Sequence, residues 1–387
     1  MKKQSNLISG FKRAAIMVIA IIFLMPICAP GANAANWYQG SSGRWLFRKM
    51  ITIDHTKVPN TDQSNYPMLF SRTDVSFKDT SNGGHVAQSN GNDFLFTASD
   101  GVTKLSHEIN VYTPSTGELV AWVKIPTLTT ATDTVIYLYY GNASAANQQD
   151  VANTWVNFAA VYHMNQSGTS ATDSTSNANN AVYAGNLPNV VTGKIGNAQS
   201  LNGSTGRAEA PNSTSLSLSS TVSINAWVNP TALVNYGRIA AKSTATNASP
   251  WTEYGLLFDN ASHLRAEIAT GTTQHALNGT TAIPTGTWSF ASSAYDGSSL
   301  KLYLNGAQQG SLSFTGSIAT NTMPLSIGRS GYSADYFNGI LDEIWVSNVA
   351  RSADWFATLY NNQNSPSTFY SVNMEEWDYS LFFMFFF

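Results

Sequence analysis

Short segments in which apolar and polar residues alternate recur along this chain, and they constrain its fold more than any other feature. Met50-Ile51-Thr52-Ile53, Asp93-Phe94-Leu95-Phe96-Thr97, Leu119-Val120-Ala121-Trp122-Val123-Lys124-Ile125 and Thr134-Val135-Ile136-Tyr137-Leu138-Tyr139-Tyr140 are rich in β-branched and aromatic residues. That is what a pleated strand with a buried face requires. Ser99-Asp100-Gly101 and Ser115-Thr116-Gly117 supply turns between them. No window before Asn142 holds a helical period, so one antiparallel sandwich over residues 35–141 is the economical solution.

Residues 142–153 are small and polar and read as a linker with room for one helical turn. A second strand series fills residues 154–372, with Phe158-Ala159-Ala160-Val161-Tyr162, Ser223-Ile224-Asn225-Ala226-Trp227-Val228, Tyr254-Gly255-Leu256-Leu257-Phe258, Leu264-Arg265-Ala266-Glu267-Ile268 and Leu300-Lys301-Leu302-Tyr303-Leu304 among its members. Asp296-Gly297 and Asn305-Gly306 are expected to be hairpin turns. Ser352 is placed as the N-cap of one short helix that docks through Trp355, Phe356 and Leu359. The predicted fold is all-β: two antiparallel β-sandwich domains, the second a jelly roll with one short late helix. Residues 373–387 read as an atypical Phe-rich tail, either disordered or a truncated end, because its apolar run is too short to cross a bilayer.

The N-terminus predicts export. Lys2, Lys3, Lys12 and Arg13 precede an apolar run over residues 14–27, and Ala32-Asn33-Ala34 offers the small-x-small pattern of a signal peptidase site. Residues 1–34 are therefore expected to be a signal peptide, and the protein to be secreted or held at the cell surface. The competing readings are a retained anchor, for which the run is short, and lipidation of Cys28, where bulky Ile27 occupies a position that needs a small residue. Cys28 is the single cysteine, so the processed chain has no thiol for disulfides, zinc-thiolate sites or covalent catalysis. Charged residues make up 11% of the chain and the net charge is −3. Without a basic cluster, nucleic acid is excluded as a partner, and without a phosphate loop so is a nucleotide. Membrane contact is expected only through the signal segment or the C-terminal tail.

The second series resembles the laminin-G-like, concanavalin-A-like lectin/glucanase jelly-roll family. The likeness rests on Asp173-Ser174-Thr175-Ser176-Asn177, Ala198-Gln199-Ser200-Leu201-Asn202-Gly203, the Trp227 strand, Leu302-Tyr303-Leu304-Asn305-Gly306 and Phe337-Asn338-Gly339-Ile340-Leu341-Asp342-Glu343-Ile344, met in that order. The first series resembles a prokaryotic surface-domain family, domain of unknown function 2341. Arg48-Lys49, Asn92-Asp93-Phe94, Glu108-Ile109, Ala121-Trp122-Val123-Lys124-Ile125-Pro126 and Tyr139-Tyr140-Gly141-Asn142 carry that likeness, and it implies no chemistry.

The first resemblance implies either glycan recognition or glycan hydrolysis. Hydrolysis needs two carboxylates across a cleft, and the family's glucanases place them as Glu-x-Asp-x-x-Glu, a spacing this sequence lacks. Asp342 and Glu343 are adjacent and on a regular strand would point to opposite faces. His107-Glu108 reads as a partly exposed strand pair. His55, His85, His107, His163, His263 and His275 show no metal-ligand spacing. The resemblance implies calcium as a possible cofactor, with Asp173, Asn177 and Asp342 as ligands, while Asx turns and backbone hydrogen bonds are the simpler roles for the same residues. Trp251, Tyr254, Arg329, Tyr332 and Tyr336 are the candidate ligand-binding residues, since they lie in or beside polar loops where aromatic rings can meet sugar C–H groups. Trp227, Trp288 and Trp345 are expected in the core. The expected function is non-catalytic extracellular recognition of a glycan or surface protein partner. A structural stalk or adhesion spacer is the alternative, and a glycoside hydrolase a further one.

Overall fold

In the computed structural model the described residues are 36–40, 43–244, 248–331 and 333–378. The expected signal peptide, Cys28 and residues 379–387 of the Phe-rich tail lie outside them. The predicted strands form, and they build the first sandwich from a four-stranded and a three-stranded sheet. The four-stranded sheet runs Tyr370–Trp377, Phe47–Ile53, Thr134–Tyr140, Leu95–Ala98, and the three-stranded sheet runs Gln63–Thr73, Glu118–Leu128, His107–Thr113. Alternation sends Ile51, Ile53, Ile136 and Leu138 inward against Phe70, Phe77, Phe94 and Phe96.

The outermost strand of the four-stranded sheet comes from the far end of the chain. Tyr370–Trp377 pairs antiparallel with Phe47–Ile53, so the segment expected as the end of the second domain and the start of a loose tail completes the first sandwich instead. Its anchors are specific. The Tyr370 ring stacks on Phe70 at 5.4 Å, and its hydroxyl donates to the Ser71 carbonyl at 3.0 Å while accepting from the Ser71 N–H at 2.8 Å. Tyr140 donates to Glu375 at 2.6 Å, and Arg48 pairs with Glu376 at 2.7 Å.

The second sandwich packs two eight-stranded sheets face to face. Ile224, Ala226 and Val228 of one sheet meet Leu256, Phe258, Leu264 and Ile268 of the other. The Asn305-Gly306 turn forms as expected: both residues have positive φ, 52° and 78°, in the hairpin between Ser299–Leu304 and Ala307–Ser313. Helix Ala353–Asn364 starts at Ser352, whose hydroxyl accepts from the Trp355 N–H at 3.1 Å. Two four-residue helices, Val151–Thr154 and Pro366–Phe369, accompany it.

A continuous apolar layer joins the two sandwiches. Trp227 and Trp345 alternate with the inward residues of their strands and so face away from the second core, where they are buried in one cluster with Trp122, Trp155, Phe290, Phe356 and Leu359. The expectation that they are core residues holds, though the core is the seam and not the jelly-roll interior. Trp288 is only partly buried against it. Each large apolar side chain buried there contributes on the order of 2–3 kcal/mol. The linker is strapped down too: the Gln149 side chain accepts from the Ile109 N–H at 2.7 Å, and the Asp150 N–H donates to the His107 carbonyl at 2.9 Å.

Candidate functional site

Strands Arg238–Ser243, Thr252–Phe258 and His263–Thr270 are neighbours in one sheet of the second sandwich. Along the last of these, Leu264, Ala266 and Ile268 enter the core, so Arg265 and Glu267 project from the opposite face. Glu267 is 3% exposed and saturated with donors. Arg238 Nη1 donates to it at 2.9 Å, Thr252 Oγ1 at 2.7 Å and Arg265 Nε at 2.8 Å. Burial alone would raise its pKa; the charges of Arg238 and Arg265 and the Thr252 hydrogen bond outweigh that and hold the carboxyl below its ordinary value.

This charged floor lies in a cavity of about 470 Å³ lined by Tyr236, Trp251, Ser330, Ser333 and Asp335 as well as Arg238, Arg265 and Glu267. Trp251 is 46% exposed and Tyr236 37%. The backbone at Trp251 is fixed by its N–H donating to Gln274 Oε1 at 2.8 Å, and the Arg265 guanidinium sits 5.8 Å from the Tyr236 ring centroid. Buried Arg238 Nε has no hydrogen-bond partner among the described residues. The cavity thus offers two partly exposed aromatic faces beside an ion-paired floor, with Ser330, Ser333 and Asp335 in its lining.

Of the described residues proposed from sequence, only Trp251 lines this cavity. Tyr254 is fully buried in the second core, its hydroxyl donating to the Leu216 carbonyl at 2.8 Å. Arg329 braces the adjoining loop, donating to the Ser330 and Gly331 carbonyls at 2.6 and 3.1 Å. Tyr336 lies 5.9 Å from the Arg329 guanidinium and outside the lining. Tyr332 lies outside the described residues. Tyr236, Arg238, Arg265, Glu267, Ser330, Ser333 and Asp335 were not anticipated. The alternation in Leu264-Arg265-Ala266-Glu267-Ile268 was the available signal, since it puts a charged pair on the face away from the core.

The residues suggested for calcium do not fit a cation as a set. Asp173 spends both oxygens on its own loop and the neighbouring strand, accepting from the Val161, Thr175 and Asn179 N–H groups and from the Thr175 hydroxyl. The Asn177 amide donates to the Phe158 and Ala159 carbonyls, each at 3.1 Å. Asp342 shares no hydrogen-bond partner with them. It is fully buried and accepts from the Lys194 and Ile195 N–H groups at 2.8 and 2.9 Å. Burial and the neighbouring Glu343 push its pKa well up, which favours the neutral acid. Among the described residues Asp54, His55 and Asp133 come close enough together to share an ion, but they bond one another and nearby backbone at the surface.

The strand pair His107 and Glu108 diverges, as alternation requires, yet neither is solvent-facing. His107 is fully buried, where desolvation pulls its pKa down to about 4. Glu108 points into the seam, where it accepts from Trp155 Nε1 at 2.6 Å and Ser174 Oγ at 2.8 Å and faces His163 Nε2 at 3.2 Å. The other His163 nitrogen lies 2.8 Å from Glu343. Glu343 has a φ of 48° at a bulge opposite Asn225–Trp227, which breaks the regular alternation with Asp342.

Residues 202–357 match the family model of the concanavalin A-like lectin/glucanases superfamily, and residues 90–179 match that of a domain of unknown function, DUF2341. Both resemblances are thus met, in the expected order, and the second sandwich has a lectin-like fold. No curated protein matches the chain. Among solved structures, the binding domain of Paraclostridial Mosquitocidal Protein 1 aligns at 14% identity and TM-score 0.45, covering 53% of this chain and 52% of that one. Domain 4 of a GH43 extracellular arabinanase from Geobacillus stearothermophilus, in complex with arabinotriose, aligns at 22% identity and TM-score 0.43, covering 53% and 98%. The botulinum neurotoxin serotype G binding domain gives 16%, 0.41, 53% and 50%. The alignments span about half of the two toxin chains.

Proposed function

We propose that this protein is an exported, non-catalytic recognition module that binds a glycan in the cavity between Trp251 and Tyr236. One observation carries the reading: two partly exposed aromatic rings flank an ion-paired floor of Arg238, Arg265 and Glu267, on a face turned away from a lectin-like core. Aromatic faces suit sugar C–H groups, and fixed polar groups between them suit hydroxyls. Recognition is favoured over hydrolysis because a general acid needs a raised pKa. Glu267 is instead kept ionised by two arginines, with both carboxylate oxygens accepting hydrogen bonds.

Glycan arrays and polysaccharide pull-downs with the chain beginning at Ala35 test this. Trp251→Ala should weaken binding about tenfold, the order of a lost aromatic contact, with an unchanged melting temperature. Failure of the unsubstituted protein to bind any glycan at high micromolar concentration would sink the reading and leave the spacer alternative, which the merged cores of the two sandwiches favour. Export carries its own check: N-terminal sequencing of released material should begin at Ala35.

A further inference from the structure

A second cavity, of about 670 Å³, opens at the seam of the two sandwiches. Strand His107–Thr113 of the first supplies one wall with Asn110 and Tyr112; the second supplies the other with Asn165, Gln166, Thr169 and Asn197. The walls are tied together by Asn165 Nδ2 donating to Asn110 Oδ1. Gln199 holds the facing loop, its Nε2 donating to the Gln166 carbonyl at 2.8 Å and the Met164 carbonyl at 3.1 Å. Tyr112 is fixed as well, through its hydroxyl on the Phe77 carbonyl at 2.9 Å and an edge-to-face contact with Phe94 at 5.0 Å.

Two features define what such a cleft would take. No lining residue is charged, so an ionic ligand would be desolvated against walls that offer no countercharge. Two buried amide atoms, Asn110 Nδ2 and Gln166 Oε1, have no partner among the described residues. One can only donate and the other can only accept. A hydroxyl does both, so a polyhydroxylated molecule can satisfy both atoms. Leaving such atoms unpaired costs roughly 1–3 kcal/mol each.

We infer that the seam is a second subsite, for an uncharged oligosaccharide, and that the first sandwich contributes to recognition by supplying its Asn110–Tyr112 wall. The inference deepens the glycan-binding reading, on which it rests for the ligand class, but it concerns a separate place on the molecule. Hydrogen–deuterium exchange of the chain from Ala35 tests it, with neutral cello-, xylo- and malto-tetrasaccharides as probes and tetragalacturonate as the acidic counterpart. A neutral probe should protect residues 107–113 and 165–172. That protection should survive in Trp251→Ala, and the affinity behind it should fall about tenfold in both Asn110→Asp, which removes the donor, and Gln166→Met, which removes the acceptor, at unchanged melting temperature. Protection confined to the Trp251 cavity overturns the second subsite and leaves the proposed function standing. Protection confined to the seam supports the subsite and overturns the placement of the primary site. Seam protection by tetragalacturonate alone, or by no probe, overturns the inference.

Discussion

His163 is 2% exposed on its side chain and holds a carboxylate at each ring nitrogen, Glu108 from the first sandwich and Glu343 from the second. The Trp122 ring lies nearly parallel to it at 5.9 Å, and the Trp155 and Trp345 indole N–H groups occupy the same two carboxylates. Burial alone would lower the His163 pKa; the charges of Glu343 and Glu108 more than reverse this and raise it well above 6.5. Glu108, which burial would raise, is brought below its ordinary value chiefly by His163. The histidine's stabilising contribution is therefore complete below about pH 6.5 and is lost as pH rises through its folded pKa, while that of Glu108 is lost as pH falls below its ordinary 4.5. His163→Gln should cost about 3–5 kcal/mol by leaving buried carboxylates unpaired. The melting-temperature gap from the parent protein should be widest between pH 5 and 6.5 and narrow on both sides. A gap independent of pH would contradict this account of the ion triad. Buried Asp342, beside Glu343, favours the fold when protonated, so its contribution is complete below its ordinary 3.8 and is lost as pH rises through its raised pKa.

At the scale of elements, the returning strand Tyr370–Trp377 decides how the chain can be divided. Its partner Phe47–Ile53 would otherwise be an open edge, and an unpaired edge invites aggregation. A chain ending at Phe369 loses the Tyr370 stack and the Glu375 and Glu376 contacts. It should lose the first sandwich's protection from proteolysis, and a peptide spanning residues 366–378 added in trans should restore part of it. Full protection without that strand would show the edge to be dispensable. The strand's place was not legible in the sequence. Tyr370-Ser371-Val372-Asn373-Met374-Glu375 alternates as a strand does, but nothing local says that its partner lies more than three hundred residues upstream. By contrast, the Ser352 cap and the Asn305-Gly306 turn were readable because their physics is local.

For the whole molecule, shared strand and shared core predict one cooperative unfolding transition for residues 36–378. Two separated calorimetric peaks would contradict that. The all-β sandwich class was legible because it depends on strand patterning and turn residues, while the lectin-like reading came from the resemblance carried by motifs such as Asp173-Ser174-Thr175-Ser176-Asn177. The site was legible only in part. Trp251 stood out as an aromatic beside a polar loop, but Tyr254, three residues on, falls on the core face of its strand. Arg238 meets Glu267 only across the intervening strand Thr252–Phe258. The seam cleft needs both sandwiches, so neither sequence series could announce it.

The most direct test of recognition at the Trp251–Tyr236 cavity is calorimetric titration of an array-selected glycan into the parent protein, Trp251→Ala and Tyr236→Ala. The account predicts saturable binding that weakens about tenfold in each variant while melting temperatures stay level. Equal affinity in all three proteins would place recognition elsewhere and overturn the assignment.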